Sequence, residues 1–273
     1  MHLYLLAIAA LQGVTELFPI SSLGHSILIP ALLHWPIDRT AEWFLPFIVV
    51  LHLGTASALV IYFWRDWARL IGGWLRAGGK ASNPDARLLW LIVAGTIPAG
   101  LLGLLLSHKI KALFGGFTFA AVALMLNGLL LLGGDFLKYR KGLIALPELG
   151  WGRAVLVGLA QALALIPGFS RSGATLVAGL GLGLNYADAA RFSFLLATPI
   201  IAAAGVLEVP KLLHAGVPHE LLGIIGLAGV LSGVFAWLST WFLMRWFSDH
   251  EMKALRPFGI YCLLLGAMAL LVG

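Results

Sequence analysis

The chain has 273 residues, of which 60% are hydrophobic and only 11% are charged. A soluble domain carries about a quarter charged residues, so this composition excludes an ordinary soluble protein. The net charge of +6 does not indicate nucleic-acid binding, because the basic residues are scattered between apolar blocks. We predict an all-α, polytopic membrane protein that forms one integral membrane domain over residues 1–273.

The first apolar stretch, Leu3–Leu33, is interrupted by polar residues. Gln12 and Glu16 lie four residues apart and so project from one helix face. A carboxylate in apolar sequence is costly, which favours a functional role. The two oxygen-bearing side chains are suited to a hard cation such as Mg²⁺ or Ca²⁺. The alternative is a carboxyl group that a neighbouring hydroxyl or Arg171 satisfies.

The turn that follows Pro19 contains Ser21, Ser22 and His25. It offers two hydroxyls and a side chain that titrates near neutral pH. The spacing is not diagnostic, because a serine cap followed by an interfacial histidine would give the same pattern.

Six further apolar blocks are long enough to cross a membrane core, which takes roughly 20 helical residues. They are Phe44–Trp64, Leu88–Leu106, Phe117–Gly134, Phe192–Glu208, Leu221–Arg245 and Pro257–Gly273. Four polar residues inside these blocks are interpreted as helix-packing hydrogen bonders: His52, Thr96, Asn127 and Ser193.

A second interrupted stretch, Trp151–Leu184, contains an arginine flanked by serines in a glycine-rich turn. The turn runs from Pro167 to Thr175 with Arg171 near its centre. Backbone N–H groups at a helix start and a guanidinium together form a cradle for an anion. The alternative is that Arg171 neutralises Glu16, and the two interpretations are compatible.

The two interrupted stretches share an order of residues. In each, a glutamine (Gln12 or Gln161) precedes a proline and then a serine-containing turn with a glycine. We therefore predict two inverted repeats, at about residues 1–135 and 150–273, each with one re-entrant helical hairpin and three full spans. Hairpins that meet near the midplane are typical of membrane proteins that handle polar cargo.

Loop charge predicts the orientation. If Trp151–Leu184 enters and leaves on one side, thirteen basic residues share a side, and the positive-inside rule places them in the cytoplasm. They are Arg65, Arg69, Arg76, Lys80, Arg87, Lys138, Arg140, Lys141, Arg153, Arg191, Arg245, Lys253 and Arg256. The opposite side receives Arg39, Lys109, Lys111 and Lys211. A crossing at Trp151–Leu184 would weaken this bias, so the count favours a hairpin.

The motifs resemble those of the undecaprenyl-diphosphate phosphatases of the bacitracin-resistance type. The resemblance covers essentially the whole chain and rests on three motifs: Gln12-x-x-x-Glu16, Pro19-x-Ser21-Ser22-x-Gly24-His25 and Pro167-Gly168-x-Ser170-Arg171-Ser172-x-x-Thr175. It implies hydrolysis of an undecaprenyl (C55) diphosphate lipid to the monophosphate. It also implies a divalent metal and a bacterial inner membrane location, with the site facing the extracytoplasmic side.

Site roles carry over by motif position. The resemblance implies that Glu16, His25 and Ser22 are catalytic, with Ser22 as the candidate nucleophile, and that Glu16 and Gln12 hold the metal. The implied phosphate-binding set is Arg171, Ser170, Ser172, Thr175, Gly168 and Ser21. Two departures stand out: Gln12 replaces a glutamate that many members carry, which puts a two-carboxylate metal site in doubt, and Leu23 replaces a threonine.

Other functions remain open from the sequence. A polyprenyl-phosphate transporter or flippase would use the same inverted repeats and broken helices. A lipid-binding scaffold explains Glu16, His25 and Arg171 poorly. The sequence does not decide between Ser22 and water as the attacking group, nor whether the chain forms a homodimer.

Overall fold

The computed structural model describes residues 2–37, 41, 43–113, 116–137, 144–214, 219–250 and 253–272. Arg39, Lys138, Arg140, Lys141 and Gly273 of the predictions above lie outside these residues. The described part is helical, and its β pairing is a single bridge between Ile144 and Leu184. Its helices are α1 (His2–Thr15), α2 (Ser22–Leu32), α3 (Phe44–Tyr62), α4 (Trp64–Arg76), α5 (Pro84–Leu113), α6 (Phe117–Leu137), α7 (Trp151–Gln161), α8 (Arg171–Gly181), α9 (Tyr186–His214), α10 (His219–Asp249) and α11 (Arg256–Val272).

The distribution of polar and apolar surface is that of a membrane protein. Gln12, His25 and Asn127 are fully buried, whereas Leu105 on α5 is 79% exposed. Water would penalise this arrangement, but a lipid surface favours it. The prediction of an all-α membrane protein is confirmed.

Four described helices are long and apolar enough to cross a membrane: α5, α6, α9 and α10. The pair α3 and α4 gives a fifth candidate with a 74° bend between its halves. The predicted span Phe44–Trp64 therefore ends in a new helix rather than a loop. With 17 residues, α11 is shorter than these helices, and the number of six full spans stays a prediction.

Both interrupted stretches fold as pairs of short packed helices, α1 with α2 and α7 with α8. The ends of the second pair lie together, because the Ile144 N–H donates to the Gly183 carbonyl at 2.9 Å. In the first pair, Tyr4 contacts the Trp35 ring across the two ends. Each stretch thus leaves at the end where it entered, as a hairpin requires. The inverted repeat itself stays a prediction.

Acidic and basic side chains pair at the end of the bundle where α4 lies. Arg69 contacts Asp85 at 3.0 Å, and Arg191 forms an ion pair with Asp66. These pairs join α4 to α5 and to the start of α9. This end carries the residues of the basic, cytoplasmic side in the predicted orientation.

Long helices surround the two hairpins and hold them. The first hairpin packs against α10 and α6, and the second against α5, α6 and α9. Helix α3 packs closely on α10, where the Ser232 hydroxyl donates to the Leu51 carbonyl at 3.1 Å. The core of the protein is therefore the region where the two hairpin tips meet.

Candidate active site

The tips of the hairpins are in direct backbone contact. Gly168 has a φ of 106°, and a Cβ there would lie 2.4 Å from the Ala120 carbonyl oxygen. A Cβ on Gly24 would in turn lie 3.1 Å from the Gly168 Cα. Glycine at both positions lets the turns approach each other inside the bundle.

Asn127 on α6 joins the two turns. Its Nδ2 donates to the Pro19 carbonyl at 2.9 Å, and its Oδ1 accepts from the Ser170 N–H at 3.0 Å. The Ser172 hydroxyl adds a bond to the Phe18 carbonyl at 3.2 Å. The broken backbone of the hairpins is thus satisfied by α6 and by the opposite hairpin, which is what allows non-helical backbone at this depth.

The second helix of each hairpin starts with the same cap. Ser21 accepts from the Gly24 N–H, and Ser170 accepts from the Gly173 N–H, both at 3.1 Å. Ser21 has a φ of 68°, which is costly for a residue other than glycine. Because of these caps, Ser22 and Arg171 each occupy the first position of a helix, whose N-terminus favours negative charge.

Glu16 is the centre of the polar cluster. Although α1 ends at Thr15, the Glu16 N–H still donates to the Gln12 carbonyl at 2.9 Å, so the side chain keeps its helical direction. Its Oε2 accepts from Gln12 Nε2 at 3.0 Å and from the Ser22 hydroxyl at 2.6 Å. A short bond of this kind joins a nucleophile candidate to a group that can accept its proton.

Arg171 crosses from the second hairpin to the first. Its Nη2 lies 3.1 Å from Glu16 Oε1, and its Nη1 donates to the Ser193 carbonyl at 3.2 Å. Its Nε is buried and has no acceptor among the described residues. The guanidinium is therefore paired with the carboxylate and keeps one N–H without an acceptor in the described part of the chain.

His52 contacts the other carboxylate oxygen. Its Nε2 lies 3.1 Å from Glu16 Oε2, and its Nδ1 donates to the Ile48 carbonyl at 2.8 Å. Its ring is thus aimed at the polar cluster, while its interpretation as a helix-packing residue stays a prediction.

These side chains face one cavity of about 270 Å³. Its walls are mostly apolar and combine both hairpin turns with α3 and α9. They are formed by Glu16, Ser21, Ser22, Leu23, Ile48, Val49, His52, Ala164, Leu165, Phe169, Ser170, Arg171, Ile200, Ile201 and Ala204. A charged end and an apolar body suit an amphiphilic ligand.

Other predicted site residues lie behind this wall. The Ser172 hydroxyl is engaged with Phe18, and Thr175 Oγ1 donates to the Arg171 carbonyl at 2.8 Å. His25 is fully buried, where Nδ1 donates to the Ser21 carbonyl at 2.7 Å and Nε2 lies 2.8 Å from the Tyr261 hydroxyl. As the structure stands, these groups hold the turns in shape, and their predicted catalytic or phosphate-binding roles stay predictions.

Sequence reasoning missed the contacts of His52 and Tyr261 with the site, whereas the prediction that Asn127 is a helix-packing hydrogen bonder is confirmed by its bonds to Pro19 and Ser170. For His52 a signal was present, since the argument that an ionisable residue in a membrane span is functional applies to it as well as to Glu16. Asn127 and Tyr261 are ordinary residues in apolar helices, and only the packed structure shows what they contact.

Comparison with known proteins agrees with the geometry. The model of the family "Bacitracin resistance protein BacA" matches residues 5–268. The chain belongs to this family. It is 62% identical over 266 residues to a Chromobacterium violaceum protein named undecaprenyl-diphosphatase 2, with 97% of this chain and 96% of that protein covered. It is also 48% identical over 269 residues to the undecaprenyl-diphosphatase of Acidiphilium cryptum, with 97% and 95% covered. Family membership therefore extends across both hairpins and the helices around them.

Proposed function

We propose that the protein hydrolyses undecaprenyl diphosphate to undecaprenyl phosphate and inorganic phosphate, which recycles the lipid carrier. The observation that carries this proposal is the contact of Ser22 with Glu16 at 2.6 Å, beside Arg171 in one cavity. A nucleophile, a proton acceptor and an anion-binding cation are the parts that phosphoryl transfer needs.

Arg171 binds the terminal phosphate. Its unpartnered Nε–H and the N-terminus of α8 supply donors, while the Ser170 and Ser21 turns close the sides. Positive charge placed where phosphoryl oxygens gain charge stabilises the transition state.

The attacking group is Ser22 or a water held by Glu16. Attack on the terminal phosphorus forms one P–O bond and breaks the bond to the bridging oxygen, which leaves with undecaprenyl phosphate. Glu16 takes the proton of the attacking hydroxyl. If Ser22 attacks, water must then hydrolyse a phosphoserine, and a Ser22→Ala variant that keeps most of its kcat would rule this route out.

The apolar walls receive the start of the isoprenoid tail. Ile48 and Val49 lie in the half of α3 near Phe44, and Ala204 lies in the half of α9 towards His214, both away from the basic end of the bundle. With the basic end in the cytoplasm, the cavity belongs to the extracytoplasmic half of the inner membrane, where we place substrate entry.

The residues fit one divalent cation that is completed by substrate oxygens. No group of three His, Cys, Asp or Glu side chains lies together in the described residues, so the protein alone offers no closed cage. However, Gln12 Oε1 is buried next to Glu16 without a hydrogen-bond partner in the described part of the chain, and Mg²⁺ often binds through a single carboxylate plus phosphates. Glu16, with Gln12 after rotation of its amide, would hold the ion, which would offset charge on the phosphate.

The test is release of inorganic phosphate from undecaprenyl diphosphate by the purified protein in detergent, with and without EDTA. We expect release that EDTA abolishes and Mg²⁺ restores. Binding of the lipid without phosphate release would contradict the proposal and favour a flippase. Phosphate release that is insensitive to EDTA would contradict the proposed divalent cation but not the proposed hydrolysis.

A further inference from the structure

We propose that His52 is a positioning residue of the active site, which holds Glu16 in place when the substrate phosphate engages Arg171. This inference rests on the proposed function. The Glu16 carboxylate is held from two sides by residues of two other helices. Arg171 of the second hairpin contacts Oε1, and His52 of α3 contacts Oε2, each at 3.1 Å.

The two contacts are not equivalent once a phosphate enters. Arg171 is the cation of the proposed phosphate site, so phosphate oxygens compete with Glu16 Oε1 for the same guanidinium. Glu16 then depends on its Oε2 partners for its direction. These partners are Gln12 Nε2, the Ser22 hydroxyl and His52 Nε2. Ser22 is the proton donor of the reaction, and the Gln12 amide is the group that would rotate towards the cation, so His52 is the partner that can stay in place.

Contacts on its own helix and with α10 fix the position of the His52 ring. The Ile48 carbonyl and the Glu16 carboxylate can both only accept, so the contacts at Nδ1 (2.8 Å) and Nε2 (3.1 Å) each require a hydrogen on the ring nitrogen, and Nε2 is fixed towards Glu16 as a donor. Helix α3 packs against α10 on both sides of His52. On one side the Ser232 hydroxyl bonds to the Leu51 carbonyl, and on the other Gly54 lies close to Gly229. The ring thus projects from a wall of the cavity that is held by close packing against α10.

The position of His52 also distinguishes it from a buried packing residue. Its side chain is 23% exposed against 6% for Glu16, and it lines the cavity beside the carboxylate. A misplacement of about 1 Å in an active site can cost on the order of 10²-fold in rate. Loss of the His52 contact should therefore lower kcat while leaving substrate binding through Arg171 nearly intact.

Two amide substitutions separate the Nε2 contact from the rest of the ring. Glutamine carries its Nε2 as many bonds from Cα as the histidine Nε2, so His52→Gln keeps a donor to Glu16. Asparagine carries its nitrogen one bond closer, at the level of the histidine Nδ1, so His52→Asn can reproduce only the contact with Ile48. Ser57→Ala is the control on the same helix, because among the described residues that exposed hydroxyl bonds to the Leu53 carbonyl alone.

The experiment measures kcat and KM for phosphate release, with thermal unfolding in detergent as the check on folding. We expect His52→Asn to lose on the order of 10²-fold in kcat with KM changed by less than about threefold. We expect His52→Gln to stay within about tenfold of wild type and Ser57→Ala to match it. Unfolding temperatures of the two amide variants should agree with each other.

Three results would overturn the proposal: equal kcat for wild type and His52→Asn, equal losses in both amide variants, or a loss confined to KM. An unfolded His52→Asn beside a folded, active His52→Gln would also overturn it, because the contact would then be needed for folding. Failure of the proposed function is a separate result, in which the wild-type protein itself releases no phosphate.

Discussion

The two hairpins share the same capping hydrogen bond at the start of their second helix, but their site residues differ in chemistry. In each, a serine caps the second helix through the N–H of a glycine three residues on, Ser21 with Gly24 and Ser170 with Gly173. The first helical position is Ser22 in one hairpin and Arg171 in the other. The first hairpin thus provides a hydroxyl and a carboxylate, and the second provides a cation at a helix N-terminus.

The glutamines that precede the two turns also differ in their hydrogen bonding. Gln12 donates to Glu16, whereas neither amide atom of the buried Gln161 has a partner among the described residues. The residue four positions after Gln161 is Leu165, where the first hairpin has Glu16. The first hairpin therefore has a carboxylate paired with its glutamine and the second has an apolar residue in its place, and the following predictions test that division of roles.

The largest effect is expected from Arg171→Ala. Removal of the phosphate-binding cation should lower kcat/KM by on the order of 10³-fold, since a preorganised donor to a transition state contributes about 2.7–4 kcal/mol. Steady-state phosphate release is the measurement, with thermal unfolding to show that the protein still folds. Normal turnover in this variant would remove Arg171 from the phosphate site.

Gly168→Ala should disrupt the contact between the hairpin tips. The added Cβ would meet the Ala120 carbonyl oxygen at 2.4 Å in a backbone conformation that disfavours side chains. We expect a loss of about 3 kcal/mol in the free energy of unfolding. The matched control is Gly152→Ala in α7, where a Cβ meets nothing within 4 Å. If both variants unfold alike, the close approach does not hold the tips.

Asn127→Leu should uncouple the turns to a smaller degree. It leaves the buried Pro19 carbonyl and Ser170 N–H without their partner, which costs about 2 kcal/mol in unfolding free energy. Thr96→Val is the control, because Thr96 Oγ1 bonds back to the Ile92 carbonyl of its own helix. Chemical unfolding in mixed micelles would measure both, and a neutral Asn127→Leu would show that the hairpins meet without this bridge.

The smallest effects come from the paired substitutions Gln12→Leu and Gln161→Leu. Gln12→Leu removes a contact with Glu16, so activity should fall about tenfold, in line with about 1.5 kcal/mol for one hydrogen bond to a charged group. Gln161→Leu replaces an unpartnered buried amide and should leave activity unchanged and stability equal or higher. Equal activity losses in the two variants would contradict the division of roles between the hairpins.

Much of the fold follows from the sequence because the bilayer imposes simple rules. Block length, the proline and glycine interruptions and the charge of the loops predicted both hairpins, and the Ile144–Leu184 bridge agrees with the second. The bend between Tyr62 and Trp64 was missed, since the apolar block of α3 runs directly into an amphipathic helix and nothing in the hydropathy marks the break.

The sequence predicted several residues of the site, but not which way all of their side chains point. Glu16, Ser22 and Arg171 could be singled out because charged or serine-rich clusters are costly in apolar sequence. That Ser172 and Thr175 face away from the cavity, and that His52 faces into it, depends on the rotation of α8 and α3 about their axes. Helices that are apolar on most sides leave that rotation undetermined by sequence.

A double-mutant cycle on Glu16 and Arg171 tests most directly that the two hairpins form one active site. The kcat/KM for phosphate release would be measured for wild type, Glu16→Ala, Arg171→Ala and the double variant. Since the two side chains are paired across the hairpin tips, the double variant should be no slower than the slower single variant. Losses that multiply would mean that the residues act independently and would contradict the shared site.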